Sequence, residues 1–563
     1  MAQPYILAPA QGADQADEWH RLGLESQLSG QLPQAQQRYQ QALRLDPRHA
    51  MATQNLAIVF AQSSMLNEAL LTIERASMLD SASALIHMNW ALMALESEHI
   101  DVALRAANEA VRLAPDDIGA LMSLAMVLAT AGTPGQAVPI YNRILDKEPK
   151  HPAAGPNCCF IQTLTDATPA DLLRQRKRWY EANRFTGQVD RHHHNDRNAN
   201  RVLRVGYVGG DFKSHSASFI FSRVLFNHTK DIEMYLYSSL AVDPNADART
   251  KRFKELAGDR WRDITTVNDE DAAAMMRRDQ IDILVDLAGH TNGGRLALFT
   301  AKPAPVQVTA WGFAHGTGCP EIDYFFADPV AVPEAERKDF AEKIIDLPCI
   351  VTMEPPVEYN LKGTSMSPFK KNGYITFGSY ARYEKMSDQC LKTFAEILRR
   401  VPDSRLEFKD HAYRRPYAIR RIMNLMPDIA KDRLLFSLAT THPDHMLAYQ
   451  QADICLDPAP HGGGVVSLEQ LWMGVPLLTI YGTQPSGRSA TSVLTAMGRT
   501  DWIARTPEEY VEKAVAMAEN PKALADARKT LRDELLDSPV VKGYAEAVER
   551  AYKSIWAKWC DRQ

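Results

Sequence analysis

The chain has 563 residues, 45% of them hydrophobic and 24% charged, with a formal net charge of −5. That length calls for several domains, and no block of like charge is long enough to track a nucleic-acid backbone, so nucleic acid is excluded as the main partner. No apolar run reaches the length of a membrane span, residues 1–15 read as a tail without the features of a secretory signal, and seven scattered cysteines fit a reducing compartment, so a cytoplasmic protein with no membrane partner is expected.

The first quarter repeats with a period of 34. Ala35, Ala69, Ala103 and Ala137 share one phase, and Gly23, Ala57, Ala91 and Ala125 share another. Leu22, Leu56, Trp90 and Leu124 precede the second set, and Pro47, Pro115 and Pro149 keep a third phase in which Ser81 replaces one proline. Two small residues per repeat let paired helices pack closely, and the proline ends the second helix of each pair. The pattern resembles the tetratricopeptide repeat, with Trp19-x-x-Leu22-Gly23 as its opening, and it predicts four repeats over residues 16–151. Such pairs stack into a superhelix whose concave groove binds peptides. Asn55 and Asn89 share one repeat position, where their amides either hold a peptide main chain as an acceptor groove or serve as polar packing between repeats.

Residues 152–200 read as a helical linker, with one helix at Pro169–Phe185 and a polar stretch at Asp190–Asn200. Three adjacent histidines in Arg191–Asp196 cannot easily face one ion, so no metal site is read there.

From Val202 the pattern changes to buried, parallel-type strands at Val202–Gly209, Glu233–Leu240, Ile281–Gly289, Val306–Phe313 and Ile322–Asp328, with helices between several of them. A polar, proline-bearing stretch at Thr352–Gly373 precedes a second set at Tyr374–Tyr380, Ser404–Asp410, Arg433–Ser437, Asp453–Asp457 and Leu477–Tyr481. These imply two Rossmann-like halves, over 201–365 and 366–542, and a closing amphipathic helix over 543–563. Ligands of such sheets sit at the carboxyl ends of the strands, so the chemistry belongs in the loops that follow them.

One of those loops stands out. After Asp457 come His461 and three glycines, Gly462, Gly463 and Gly464, and a helix opens at Val465 and Val466. Glycines let backbone amides approach a ligand, and a helix start adds unpaired N–H groups and a positive partial charge. Together they suit a phosphate or diphosphate. Lys385 and Arg382, in the loop after Tyr374–Tyr380, can bring positive charge to the same cleft. His215 and His290 each follow a strand of the first half and are candidates for a group that titrates near neutral pH.

The segments Tyr207–Ser216, Leu287–Arg295, Lys302–Phe313, Phe377–Ser387, His442–Asp457 and His461–Pro476, in this order after the repeats, resemble the O-linked N-acetylglucosamine transferase family, which includes the Spindly-type protein O-fucosyltransferases. The resemblance implies a tetratricopeptide superhelix joined to a GT-B catalytic region of two Rossmann-like domains, with the sugar nucleotide mainly on the second. It implies an inverting, metal-independent transfer of N-acetylglucosamine from UDP-GlcNAc to Ser or Thr hydroxyls of proteins, with no cofactor.

By the same resemblance Lys385 contacts the diphosphate and is needed for activity, and His215 is the base or an organiser of the acceptor site. His445 stacks on the nucleotide base, His442 lies near the ribose where relatives often have lysine, and Glu469 takes the ribose hydroxyls. Thr440 joins this nucleotide set. Val465 and Val466 replace family threonines, so their amides remain while hydroxyl contacts are lost, and His290 stands where some relatives have an aromatic residue. The alternatives are GDP-fucose as donor, glucose transfer to asparagine, or a repeat scaffold whose catalytic half is inactive.

Overall fold

A computed structural model describes residues 5–6, 14–187, 192–241, 247–361 and 366–561. The expected tail over 1–15 and the histidine run from Arg191 therefore lie partly outside the described residues. The chain divides into two compact units, Met1–Ala154 with Arg414–Arg421, and Gly155–Tyr413 with Ile422–Gln563. Among the described residues no helix is long and apolar enough to cross a membrane.

The first unit holds four helix pairs: α1 (Gln15–Leu28) with α2 (Leu32–Leu45), α3 (Ala50–Gln62) with α4 (Leu66–Leu79), α5 (Ala84–Glu96) with α6 (Ile100–Leu113), and α7 (Ile118–Thr130) with α8 (Pro134–Lys147). The small residues of the repeat are fully buried where the two helices of a pair meet. At Gly23 a Cβ would lie 2.5 Å from the ring of Tyr39, so the first pair packs against hydrogen where the others use alanine. The phase also sets the caps. His49, Ser83 and Asp117, each 34 residues apart, accept the amides of Ala52, Ile86 and Ala120. Such a cap contributes about 1 kcal/mol. The first helices of successive pairs touch one another, α1 with α3, α3 with α5 and α5 with α7, and so form the inner layer.

The second unit opens with α9 (Ala154–Ile161), a 3-10 turn at Gln162–Leu164 and α10 (Pro169–Asn183). Two parallel sheets follow. The first comprises β1 (Leu203–Gly209), β2 (Ile232–Ser238), β3 (Trp261–Asp263), β4 (Ile283–Asp286), β5 (Val306–Thr309), β6 (Tyr324–Ala327) and β7 (Lys343–Asp346), in the order β3-β2-β1-β4-β5-β6-β7. The second comprises β8 (Thr376–Ser379), β9 (Arg405–Lys409), β10 (Leu434–Ser437), β11 (Ile454–Leu456), β12 (Leu477–Ile480) and β13 (Ile503–Ala504), in the order β10-β9-β8-β11-β12-β13. Both are doubly wound sheets, as the strand pattern predicts, and β3, β7 and β13 are additions to it.

In each sheet the order reverses at the first strand, between β1 and β4 and between β8 and β11, where ligands of this architecture bind. The last helix, Tyr544–Cys560, returns to the first sheet. Its Glu549 carboxylate accepts from Thr229 (amide 2.7 Å, hydroxyl 2.8 Å) and lies 3.0 Å from His228 Nδ1. Trp311 Nε1 donates to Tyr544 Oη at 3.1 Å. The helix so ties the first half to the chain's end through buried polar contacts.

Candidate active site

The two switch points are built alike. At the end of β4, buried Asp286 accepts the hydroxyl of Thr309 on β5 at 2.8 Å and the amides of Ala288 and Gly289. At the end of β11, buried Asp457 accepts the hydroxyl of Thr479 on β12 at 2.7 Å and the amide of Gly463 at 2.6 Å. Each carboxylate thus pins the loop that follows its strand. Neither aspartate stands out in the sequence, because an Asp after an apolar run reads as a turn residue and its threonine partner lies on a neighbouring strand.

The glycines are explained by what surrounds them. A Cβ at Gly462 would lie 2.9 Å from Asp457 Oδ2, and one at Gly463 would lie 2.4 Å from Ser467 Oγ and 3.0 Å from Asp457 Oδ1. Gly464 has open space around its missing Cβ. Gly464 caps the helix Val465–Trp472 with no side-chain bond to its first amides. A helix start left this way suits an anion.

Lys385 closes the other side. It ends a 3-10 turn (Tyr383–Lys385) after β8, and its Nζ donates to the Gly462 carbonyl at 2.8 Å. Loss of hydration, helped by the neighbouring Arg382, pulls its pKa down to about 7 against the opposite pull of Asp457 and Glu384. Burial in turn pushes the Asp457 carboxyl up to about 6, opposed by the Thr479 and Gly463 bonds and by Lys385. Arg382 itself is exposed, its guanidinium 5.7 Å from the Phe160 ring.

The helix His442–Ala448 supplies a second cluster. His442 Nε2 lies 2.8 Å from Glu469 Oε1, and its Nδ1 lies 2.8 Å from Tyr359 Oη. The carboxylate can only accept, so Nε2 carries the proton and Nδ1 accepts from the tyrosine. The ring also stacks on Phe219 of the first half, with centroids 4.3 Å apart. Glu469 is buried, and its second oxygen accepts from Tyr449 Oη at 2.7 Å. His445 sits edge-on to Tyr449 and Tyr380, and burial lowers its pKa. Thr440 is exposed just ahead of this helix.

On the first half, His215 caps the helix Ser216–Leu225. Its side chain is 48% exposed, and its Nδ1 lies 3.3 Å both from Asp211 Oδ2 and from the Ala217 amide nitrogen. Nδ1 accepts that amide, so in the neutral ring the proton sits on Nε2. His290 differs. It is buried between Trp179 and Phe313, its Nε2 lies 2.8 Å from the Thr317 carbonyl, and burial holds its pKa to about 3. The structure therefore removes His290 from the groups that titrate near neutral pH and gives it a place in the core under this loop.

His461 too is turned inward. Its Nδ1 lies 3.3 Å from Thr163 Oγ1, and burial beside Lys385, His315 and Arg382 pushes its pKa well below the usual histidine range. The segment Ala154–Thr165, which the sequence gives only as linker, thus buttresses the glycine loop. Phe160 lies under Arg382, Thr163 meets His461, and the Thr165 carbonyl accepts from Gln484 at 2.7 Å. Lys385, Arg382, His461, Gly462–Gly464, Val465 and Val466 come together in one cluster, His442, His445 and Glu469 in a second, and His215 belongs to neither. Asn55 and Asn89 lie in the other unit.

Strand-end loops, a glycine loop at a helix start and a lysine bonded to that loop meet at the switch point of the second sheet of a doubly wound protein, a combination that suits an anionic ligand. The sequence model of glycosyl transferase family 41 matches residues 183–352 and 364–548, and one of tetratricopeptide repeats matches 26–81 and 88–152. The chain belongs to glycosyl transferase family 41. It is 34% identical over 378 residues to a Hordeum vulgare protein named probable UDP-N-acetylglucosamine–peptide N-acetylglucosaminyltransferase SPINDLY, over 65% of this chain and 39% of that one. It is 28% identical over 378 residues to an Arabidopsis thaliana protein of the same description, SEC, over 64% and 38%. The chain spans about two-fifths of the length of these relatives. A solved Thermobaculum terrenum O-GlcNAc transferase mutant superposes with a TM-score of 0.76 at 25% identity, covering 98% of this chain and 99% of that one.

Proposed function

We propose that this protein transfers N-acetylglucosamine from UDP-GlcNAc to Ser or Thr hydroxyls of proteins, with inversion and without a metal or other cofactor. The observation that carries this is the Lys385 amine seated on the Gly462 carbonyl, beside the glycine loop and the open helix start. In this reading the leaving diphosphate gathers charge beside these groups. Fixed cations and amides at that point lower the barrier because they need no reorganisation as the charge grows.

In the proposed step the acceptor oxygen bonds to the sugar C1 as the C1–O bond to the diphosphate breaks on the opposite face. The diphosphate keeps the bond pair. The hydroxyl proton passes to the imidazole of His215, and the imidazolium so formed faces the Asp211 carboxylate across Nδ1. Lys385, Arg382 and the amides of Gly464, Val465 and Val466 take the charge that a metal takes elsewhere. Glu469, oriented by His442 and Tyr449, keeps lone pairs for the ribose hydroxyls, and His445 offers a face to the base. Acceptor proteins dock on the repeats. The cysteines stand as free thiols, which supports the cytoplasm as the place of action.

The experiment is thermal unfolding of the purified chain with UDP, GDP or neither. UDP at a hundred times its Kd is expected to stabilise by about 2.7 kcal/mol, with GDP doing less. Stabilisation by GDP alone would move the donor to a GDP-sugar, and stabilisation by neither would refute the nucleotide site.

A further inference from the structure

Asn55 and Asn89 occupy the same repeat position and do different things. Asn55 is buried and faces His20 of the preceding pair, Nδ2 to Nε2 at 3.0 Å. Asn89 is equally buried, yet its amide holds main chain from outside the repeats. Its Nδ2 donates to the Ile6 carbonyl at 2.7 Å, and its Oδ1 accepts the Ile6 amide at 3.0 Å. Gln54 Nε2 adds a bond to the same carbonyl at 3.2 Å. One side chain therefore satisfies both polar main-chain groups of one residue.

The side chains of this dipeptide are accommodated as well. Tyr5 packs on the buried cluster that includes Ala57, Ile58 and Met93, and its hydroxyl donates to the Glu96 carboxylate. Ile6 reaches Gly119, where an added Cβ would lie 3.4 Å from Ile6 Cδ1. Tyr5–Ile6 thus touches α3, α5 and α7 in turn, along the inner layer of the repeats. Main-chain bonds of this bidentate kind are indifferent to sequence, whereas Glu96 rewards a phenol and Gly119 leaves room for a branched side chain.

We propose that Gln54, Asn89, Glu96 and Gly119 form a docking site for an extended segment carrying a tyrosine followed by an aliphatic residue, and that Tyr5–Ile6 of the same chain is its resident occupant. Eight residues separate Ile6 from α1. A tether that short presents the segment at an effective concentration on the order of millimolar, so a free peptide must compete with it. That acceptor proteins are among the competitors rests on the reading under Proposed function, while the site itself does not.

The test uses the full chain and a fluorescein-labelled peptide of residues 1–13, MAQPYILAPAQGA, followed by anisotropy. The double variant Tyr5→Ala, Ile6→Pro removes the ring and one main-chain donor, and it should bind the labelled peptide at least tenfold more tightly than the unmodified chain. Adding Asn89→Ala should abolish that binding. Because Asn89 is buried, exposed Glu96→Gln in the double variant serves as the second probe. There a peptide with Phe in place of Tyr should bind as well as the parent, whereas with Glu96 present it should bind more weakly. Donor hydrolysis should stay unchanged in all variants, which separates this result from any failure of the transfer reading. Equal peptide binding by the unmodified chain and the double variant would overturn the proposal. So would binding that survives Asn89→Ala, or a dimer of the unmodified chain that the double variant lacks, since the segment would then be exchanged between copies.

Discussion

Lys385 makes nucleotide binding a proton-linked event. In the free protein its pKa lies at about 7, because burial strips water from the ammonium and Arg382 stands beside it. A bound diphosphate sets negative charge against the amine and raises that pKa. Above pH 7 the free protein is then mostly neutral at Lys385 and the complex protonated, so binding takes up a proton and affinity falls as pH rises. At pH 8 about nine-tenths of the free lysine is neutral, and Kd should weaken by up to about tenfold per pH unit until the pKa of the complex is reached. Calorimetry with UDP in two buffers of different ionisation enthalpy reads the uptake directly. It should be small at pH 6 and approach one proton per nucleotide at pH 8. Lys385→Met should abolish the uptake and flatten the pH dependence. A Kd independent of pH between 7 and 9, or the same uptake in the variant, would refute the reasoning.

Gly463→Ala should cost nucleotide affinity about tenfold or more, because its Cβ collides with Ser467 Oγ and Asp457, whereas Gly464→Ala meets nothing within 4 Å and should leave the fold intact; UDP titration and melting temperatures check both. Thr479→Val strips one hydrogen bond from buried Asp457 and should destabilise the chain by about 1–3 kcal/mol, read by denaturant unfolding, with a matching loss of order in the glycine loop seen as weaker UDP binding. His215→Ala should lower transfer about 10²- to 10⁴-fold while UDP affinity holds, measured by single-turnover transfer and titration; a loss under tenfold would leave His215 as an organiser and not the base. Activity should survive excess EDTA, and loss reversed by Mg²⁺ or Mn²⁺ would overturn the metal-free proposal.

The repeat was legible because its small residues are required wherever two helices touch, and that requirement recurs every 34 residues. The strands at the centre of each sheet were legible as apolar runs. β3, β7 and β13 were not, because Trp261–Asp263 and Lys343–Asp346 are short and carry charge, and Ile503–Ala504 is only two residues long. The glycine loop could be seen in the sequence, but its anchor at Asp457 and Thr479 could not, since the pair exists only once β11 and β12 lie side by side. His290 reads as a cleft residue until Trp179, more than a hundred positions earlier, is laid against it. Asn55 and Asn89 are equivalent by phase, and only the neighbours, His20 for one and Ile6 for the other, separate packing from binding.

The most direct measurement of the central claim is mass spectrometry of an acceptor protein incubated with this chain and UDP-GlcNAc in the presence of EDTA. The account predicts a single N-acetylhexosamine on Ser or Thr side chains, absent with Lys385→Met. An acceptor that stays unmodified with UDP-GlcNAc but gains a deoxyhexose from GDP-fucose, or a sugar found on asparagine, would contradict it.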